Sequence, residues 1–262
     1  MPPWMSERAT AALLLLLSTA PAWADGSICP DRPGKGTSAC TVDEGRWQAE
    51  LGVWDGAFQH RSGIATETSS AGSLLLKYGV SGSVDLEAGM TLYQSIRTHG
   101  LGTTQGVSDN GDLTLHAKWN PGGSSMTVVL DPFVKLPTAN RLGNGAVEGG
   151  LVVPLSWDLG NSWSLAATPE TDISRNASGS GYHLNAVNVV GLGYGFPNNV
   201  SLGAEIWTAQ NFDPAGSVSQ YSFDLDAAWL TDPETQLDAG INVGLNRATP
   251  DLEFYAGMSR RF

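Results

Sequence analysis

Acidic side chains recur at alternate positions along many segments of this sequence, and that spacing is where its chemistry could reside. Glu50, Asp85, Glu87, Asp112, Asp131, Glu148, Glu205, Asp224, Asp226, Asp238 and Glu253 fall on one face of period-two segments. Successive side chains of an extended strand point to opposite sides, so one parity shares one surface. Lys77, Lys118, Lys135 and Arg261 lie on the same face, and His116 adds a group that titrates near neutrality. Eleven acids against four bases leave seven carboxylates without a partner on that face. Two readings stay open. Paired charges in a low-dielectric interior make a rigid ion-pair network. Unpaired ones need water, and a hydrated acidic path would favour cations and neutral solutes over anions.

Trp54 and Trp207 share this face by parity. Each could stack an apolar or aromatic solute, or obstruct a path. The candidate solute path is therefore Glu50, Trp54, Glu87, His116, Asp131, Lys135, Glu205, Trp207, Asp224 and Asp226. No catalytic set stands out: His60, His99, His116 and His183 have no Ser–His–acid arrangement or paired-carboxylate motif around them. No enzyme activity, resident metal or cofactor is expected. Gly191-Leu192-Gly193-Tyr194-Gly195 lies inside a strand pattern with no helix following, which excludes a nucleotide loop.

The two cysteines, Cys29 and Cys40, are expected to close a small disulfide loop in an oxidising compartment; a metal would need more ligands than Asp31 adds nearby. Arg61, Arg97, Arg141, Arg175 and Arg247 fall in or beside the longer connections. They are either ordinary solvated loop charge or a phosphate-binding set for outer-leaflet lipid and lipopolysaccharide, since the guanidinium fork suits phosphate. The net charge of −12 excludes nucleic acid as a partner.

These residues need elements to hold them. Period-two alternation predicts twelve strands, over 46–58, 70–80, 83–95, 111–120, 124–136, 146–157, 162–170, 181–195, 199–209, 219–230, 235–246 and 251–262. Short links near Ser81-Gly82, 120–123, 158–161, Pro197-Asn198 and 231–234 alternate with longer ones at 59–69, 96–110, 137–145, 171–180 and 210–218. Short turns at one end and long loops at the other are the arrangement of a transmembrane antiparallel up-and-down β-barrel. Trp47, Trp119, Trp157, Trp163 and Trp229, with Tyr78, Tyr194 and Phe262, collect at the short-turn end as an interfacial girdle. The final strand alternates Leu252, Phe254, Ala256 and Met258 with polar or small residues and stops on Phe262. Such a strand must pair with the first, because lipid tolerates no open sheet edge.

Residues 1–24 carry Arg8, an apolar run from Ala11 to Leu17 and the small-x-small site Ala22-Trp23-Ala24. They read as a cleaved signal peptide, too short in its apolar core to cross as a helix. Residues 25–45 then read as a periplasmic segment carrying the Cys29–Cys40 loop, and 46–262 as the barrel.

Cys29-Pro30-Asp31-Arg32-Pro33, Cys40-Thr41-Val42 and Gly45-Arg46-Trp47-Gln48-Ala49-Glu50 together resemble the opening of the family called putative MetA-pathway of phenol degradation. Similar to it too are Leu75 to Val80 followed by Leu86-Glu87-Ala88-Gly89, the strand Gly111 to Trp119, Lys135-Leu136-Pro137-Thr138 and the ending Gly257 to Phe262. Arg260 and Gly34 depart from its usual pattern. The resemblance implies an outer-membrane transporter of a Gram-negative bacterium, with Phe262 read by the barrel-assembly machinery. The expected function is a narrow channel for small, neutral or weakly hydrophobic solutes, aromatic ones among them. Its alternative is a structural or lipid-interacting barrel without a through-path. Both termini are expected in the periplasm.

Overall fold

The computed structural model describes residues 28–100, 102–122 and 126–262; the expected signal peptide lies outside them. The chain forms one antiparallel sheet closed on itself. Its strands are β1 (Trp47–Arg61), β2 (Ile64–Ser81), β3 (Val84–Gly100), β4 (Thr103–Asp109 continued by Leu113–Trp119), β5 (Met126–Val128 continued by Asp131–Leu136) and β6 (Glu148–Val152 continued by Leu155–Gly160). There follow β7 (Trp163–Arg175), β8 (Tyr182–Gly195), β9 (Val200–Asn211), β10 (Val218–Asp232), β11 (Thr235–Gly244) and β12 (Leu252–Arg261). Each two-part strand keeps one register across its break: on β3, Gln94 pairs with Asp109 and Gly89 with Thr114. The expected twelve-stranded barrel is therefore the observed one. β12 closes it against β1, from Gln48↔Arg261 to Phe58↔Leu252.

The distribution of side chains is inverted relative to a water-soluble fold. Lys77, Lys118, Gln48, Glu50, Asp85 and Asp224 are among the most deeply buried residues, while Leu74, Leu86, Leu92, Val190, Leu202, Leu225, Leu237 and Phe254 are exposed. A polar interior behind an apolar outer band is what lipid requires. Trp47 packs on Tyr78 at 4.7 Å and Trp163 on Tyr194 at 4.8 Å, cross-strand pairs at the short-turn end as the girdle expects.

Three features differ from expectation. The regions 59–69 and 96–110 are extended hairpins rather than loops: β1 and β2 run to Arg61↔Ile64, and β3 and β4 to Gly100↔Thr103. Ser62 and Gly63 take φ of 52° and 80°, the left-handed pair that a two-residue hairpin turn needs. Thr66, Glu67, Thr68, Ser69 and Ser70 are polar on both faces, so these extensions carry no apolar alternation to read.

The second difference is in β1, where a bulge between Gly52 and Trp54 shifts the register against β12. Trp54 therefore pairs with Ala256, on the outward face of Phe254, and is 41% exposed; it faces lipid, not the lumen. A one-residue slip reverses the facing of the residues beyond it.

The third concerns the segment before β1. Residues expected to lie outside, in the periplasm, run instead along the inner wall, from Ile28 to Val42. They contact Glu50 on β1, Lys77 on β2, Asp85 on β3 and Lys118 on β4. On the opposite side they meet Thr168 on β7, Glu205 on β9, Asp238 on β11 and Glu253 on β12. A segment that touches walls on all sides occupies the lumen. It is a plug.

Candidate functional site

The plug is fastened at its base. Cys29 and Cys40 form the expected disulfide, closing a loop that presents Asp31, Arg32 and Lys35 to the wall. Gln48 holds Cys29 by both backbone groups: the Cys29 N–H donates to Gln48 Oε1 at 3.0 Å, and Gln48 Nε2 donates to the Cys29 carbonyl at 2.7 Å. The Val42 N–H donates to Asp85 at 2.8 Å. Backbone groups of a segment without secondary structure are thus satisfied by wall side chains, as burial demands.

Next comes an ion-pair network. Lys77 and Lys118 are wholly buried, and Asp31 bridges them: Lys77 Nζ lies 2.5 Å from Oδ2 and Lys118 Nζ 2.8 Å from Oδ1. Lys77 also meets Glu50 Oε1 at 2.8 Å, and the Asp31 N–H donates to Glu50 at 3.0 Å. Burial raises the Asp31 pKa, but Lys118 and Lys77 outweigh it and hold that carboxyl well below the usual range.

Across the lumen, Arg32 donates to Asp238 Oδ1 from Nη2 at 2.8 Å and from Nε at 3.1 Å, and Nε also reaches Oδ2 at 3.3 Å. Its guanidinium crosses the directly paired Gly52 and Gly257, where an added Cβ would stand 3.1 Å and 2.4 Å from it. A side chain at Gly257 would displace the guanidinium from this path, and one at Gly52 would crowd it. The Lys35 N–H donates to Glu205 at 2.8 Å, its Nζ meets Glu253 at 2.9 Å, and its ammonium sits 5.0 Å from the Trp207 ring centroid.

Of the expected path residues, Glu50 and Glu87 join the plug network, His116 meets Asp131 at 3.2 Å, and Glu205 and Trp207 contact the plug. Lys135 stands apart with Asp112 at 2.9 Å and Glu148 at 2.7 Å. Asp224 takes a hydrogen bond from Ser222, and Asp226 borders open space. The sequence reading missed Asp31, Arg32 and Lys35. Their segment has no strand period, so parity could not assign them to the lumen, where Arg32 and Lys35 add two bases and Asp31 one acid.

The outer arginines do not converge. Arg61 binds Asp251 at 2.6 Å and the Arg247 carbonyl at 2.9 Å, Arg175 lies over Tyr182, and Arg97 and Arg141 are exposed. Arg61, Arg97 and Arg175 belong to strands rather than loops.

Open space flanks the plug. A cavity of about 450 Å³ lies between Pro30–Ser38 and the wall of β7 to β10, with Ser164, Gly191, Glu205 and Asp226 in its lining. A second, of about 300 Å³, borders Asp31, Arg32, Glu50, Thr91 and Asp112. A third, of about 240 Å³, holds Lys35, Trp207 and Glu253.

A model of the family described as Putative MetA-pathway of phenol degradation matches residues 30–262, the plug as well as the barrel. The chain belongs to that family. The resemblance read from short motifs thus holds across nearly the whole described chain. This family member shares its fold with the COG4313 outer membrane channel from Pseudomonas putida F1, at TM-score 0.68 and 14% identity, over 88% of this chain and 99% of that one. The β-domain of the Bordetella autotransporter BrkA aligns at TM-score 0.53 and 14% identity, over 84% of this chain and 100% of that one. The NanC porin aligns at TM-score 0.50 and 11% identity, over 81% and 98%. At such identities the likeness is one of fold. No curated protein matches the sequence.

Proposed function

We propose that this barrel is an outer-membrane channel of a Gram-negative bacterium for small neutral or weakly hydrophobic solutes, aromatic molecules included. The observation that carries this reading is the cavity of about 450 Å³ between the plug and the inner wall. That volume suits a small molecule. Its inward-facing lining sets Pro30 and Pro33 among serines and glycines, and Asp31, Glu205 and Asp226 outnumber its one base, Arg32. The field of such a wall opposes anions. Membership of a family named for phenol degradation is consistent with an aromatic cargo. Shift of the plug is the step that would join the cavities into a path.

In the same reading residues 1–24 are a signal peptide, both termini face the periplasm, Phe262 is the assembly signal, and the outer arginines meet lipid phosphate and lipopolysaccharide. The barrel carries out no catalysis. Flux of neutral phenolic solutes and of matched anions into proteoliposomes is the test. Neutral solutes should enter faster, and Glu205→Gln with Asp226→Asn should erase the discrimination. Faster anion entry would refute the acidic path. No flux of any solute from a folded barrel would favour the structural role instead.

A further inference from the structure

One cluster on the inner wall lies beside the anchor of the plug. Glu87 on β3 pairs directly with His116 on β4, and His116 pairs with Phe133 on β5, two residues beyond Asp131. One donor atom from each of Glu87, His116 and Asp131 lies within 4.8 Å of the others. His116 Nδ1 stands 3.2 Å from both Asp131 oxygens, and Phe133 stacks on the imidazole at 5.2 Å between ring centroids. Both carboxylates are buried, while the His116 side chain retains 19% exposure through which the lumen reaches it.

A second observation points to a missing partner. Glu87 Oε1 is buried and accepts no hydrogen bond among the described residues. The ammonium groups nearest to it, Lys118 at 3.5 Å and Lys77 at 3.9 Å, are committed to Asp31 and Glu50 at shorter distances. Among the described residues the carboxylates of Asp31, Glu50, Asp85, Glu87 and Asp131 outnumber the two neighbouring ammonium groups, Lys77 and Lys118. A buried carboxylate oxygen in a region of negative surplus is poised for a cation.

We propose that Glu87, His116 and Asp131 bind a divalent transition cation of the zinc class. One imidazole nitrogen with two carboxylate oxygens is a donor set such ions accept, with a fourth position left to water. Calcium and magnesium would demand more oxygen donors than the cluster offers. Metal–ligand bonds of about 2.0–2.2 Å in a tetrahedron place donors roughly 3.3–3.6 Å apart. The His116–Asp131 separation already approaches this, so Glu87 supplies most of the adjustment.

The location gives the site a consequence. β4 and β5 are joined by only a short ladder, Leu113–His116 against Phe133–Leu136, and then by the isolated bridge Trp119↔Leu130. An ion held by Glu87, His116 and Asp131 would tie β3, β4 and β5 together at that seam. It would also draw Glu87 away from Lys118, beside the anchor of the plug.

The test uses untagged, chelator-washed barrel folded in detergent and titrated with Zn²⁺ and Co²⁺. Expected are one bound equivalent and, for Co²⁺, the visible absorption of a tetrahedral site. His116→Gln and Asp131→Asn should each weaken binding by at least about tenfold, no less than the loss of an outer-shell partner costs. The variant with His60, His99 and His183 all changed to alanine should bind like wild type. Heat-modifiable gel migration verifies that each variant is folded. Absence of stoichiometric binding by wild type, equal binding by folded His116→Gln, or loss of binding in the triple variant would each overturn the site.

Discussion

Arg32 and Asp238 lie 206 residues apart in sequence and meet inside the barrel through three hydrogen bonds that engage both carboxylate oxygens. The Asp238 side chain is fully buried and that of Arg32 is 20% exposed. Removing one partner of such a pair strands the other charge, at a cost of about 3–5 kcal/mol in a dry site. Partial hydration around Arg32 places this pair at the lower end. Asp238→Asn should therefore loosen the plug while leaving the barrel wall folded. The expected outcome is a several-fold rise in single-channel conductance in planar bilayers, with unchanged heat-modifiable migration. Unaltered conductance would separate this contact from plug retention.

The disulfide constrains the same segment from its base. Cys29 and Cys40 are 11 residues apart, and closing a loop of that length is worth about 3 kcal/mol by the chain-entropy argument. Reduction, or paired Cys29→Ser and Cys40→Ser substitution, should leave the barrel closed but make the plug fluctuate. Conductance noise should increase, and protease added from the short-turn side should cut between Asp31 and Val42. A plug equally protected with and without the bridge would show that the wall contacts suffice.

The two tryptophans that share a parity should behave oppositely. Trp54 sits on the outer surface beside Ala256, and Trp207 lines an inner cavity under Lys35. Trp207→Ala should change the flux of aromatic solutes relative to aliphatic ones of equal size, and Trp54→Ala should leave that ratio alone. Competitive flux measurements in proteoliposomes decide between them.

Asp31 gives the plug its pH dependence. Lys118 and Lys77 hold its pKa below the unfolded value against the opposing effect of burial. A depressed pKa contributes stability that is present above the unfolded carboxylate pKa and lost as pH falls through the folded one. Plug closure through this residue should accordingly persist from neutrality into moderate acid and fail only below the ordinary carboxylate range. Asp31→Asn removes the bridging charge and should open the barrel at neutral pH. Conductance recorded from pH 7 downwards checks both, within roughly the window set by a normal Asp near 4.

Much of this molecule was legible before folding was considered. The period-two segments, the girdle aromatics such as Trp47 and Trp163, and the apolar face of Leu252 to Met258 announce strand count, facing and closure. Lipid makes those signals strict, because each membrane-crossing residue must match either hydrocarbon or lumen. The signal faded where lipid ends: Thr66 to Ser70 are wetted on both faces, and their strand continues without an apolar alternation to mark it.

Tertiary structure alone decided three things. The bulge before Trp54 turned that ring outward, and a backbone slip of one residue has no signature in side-chain types. The plug, with Arg32 and Lys35 as counter-ions for Asp238 and Glu253, has no periodicity from which its position could be read. The meeting of Glu87, His116 and Asp131 depends on cross-strand register, which pairing across the sheet sets and no local window contains. Sequence fixes which face each regular strand residue takes, because facing is a local geometric consequence of an extended backbone. Which residues then meet across the lumen is a property of closure, and it exists only once the first and last strands have joined.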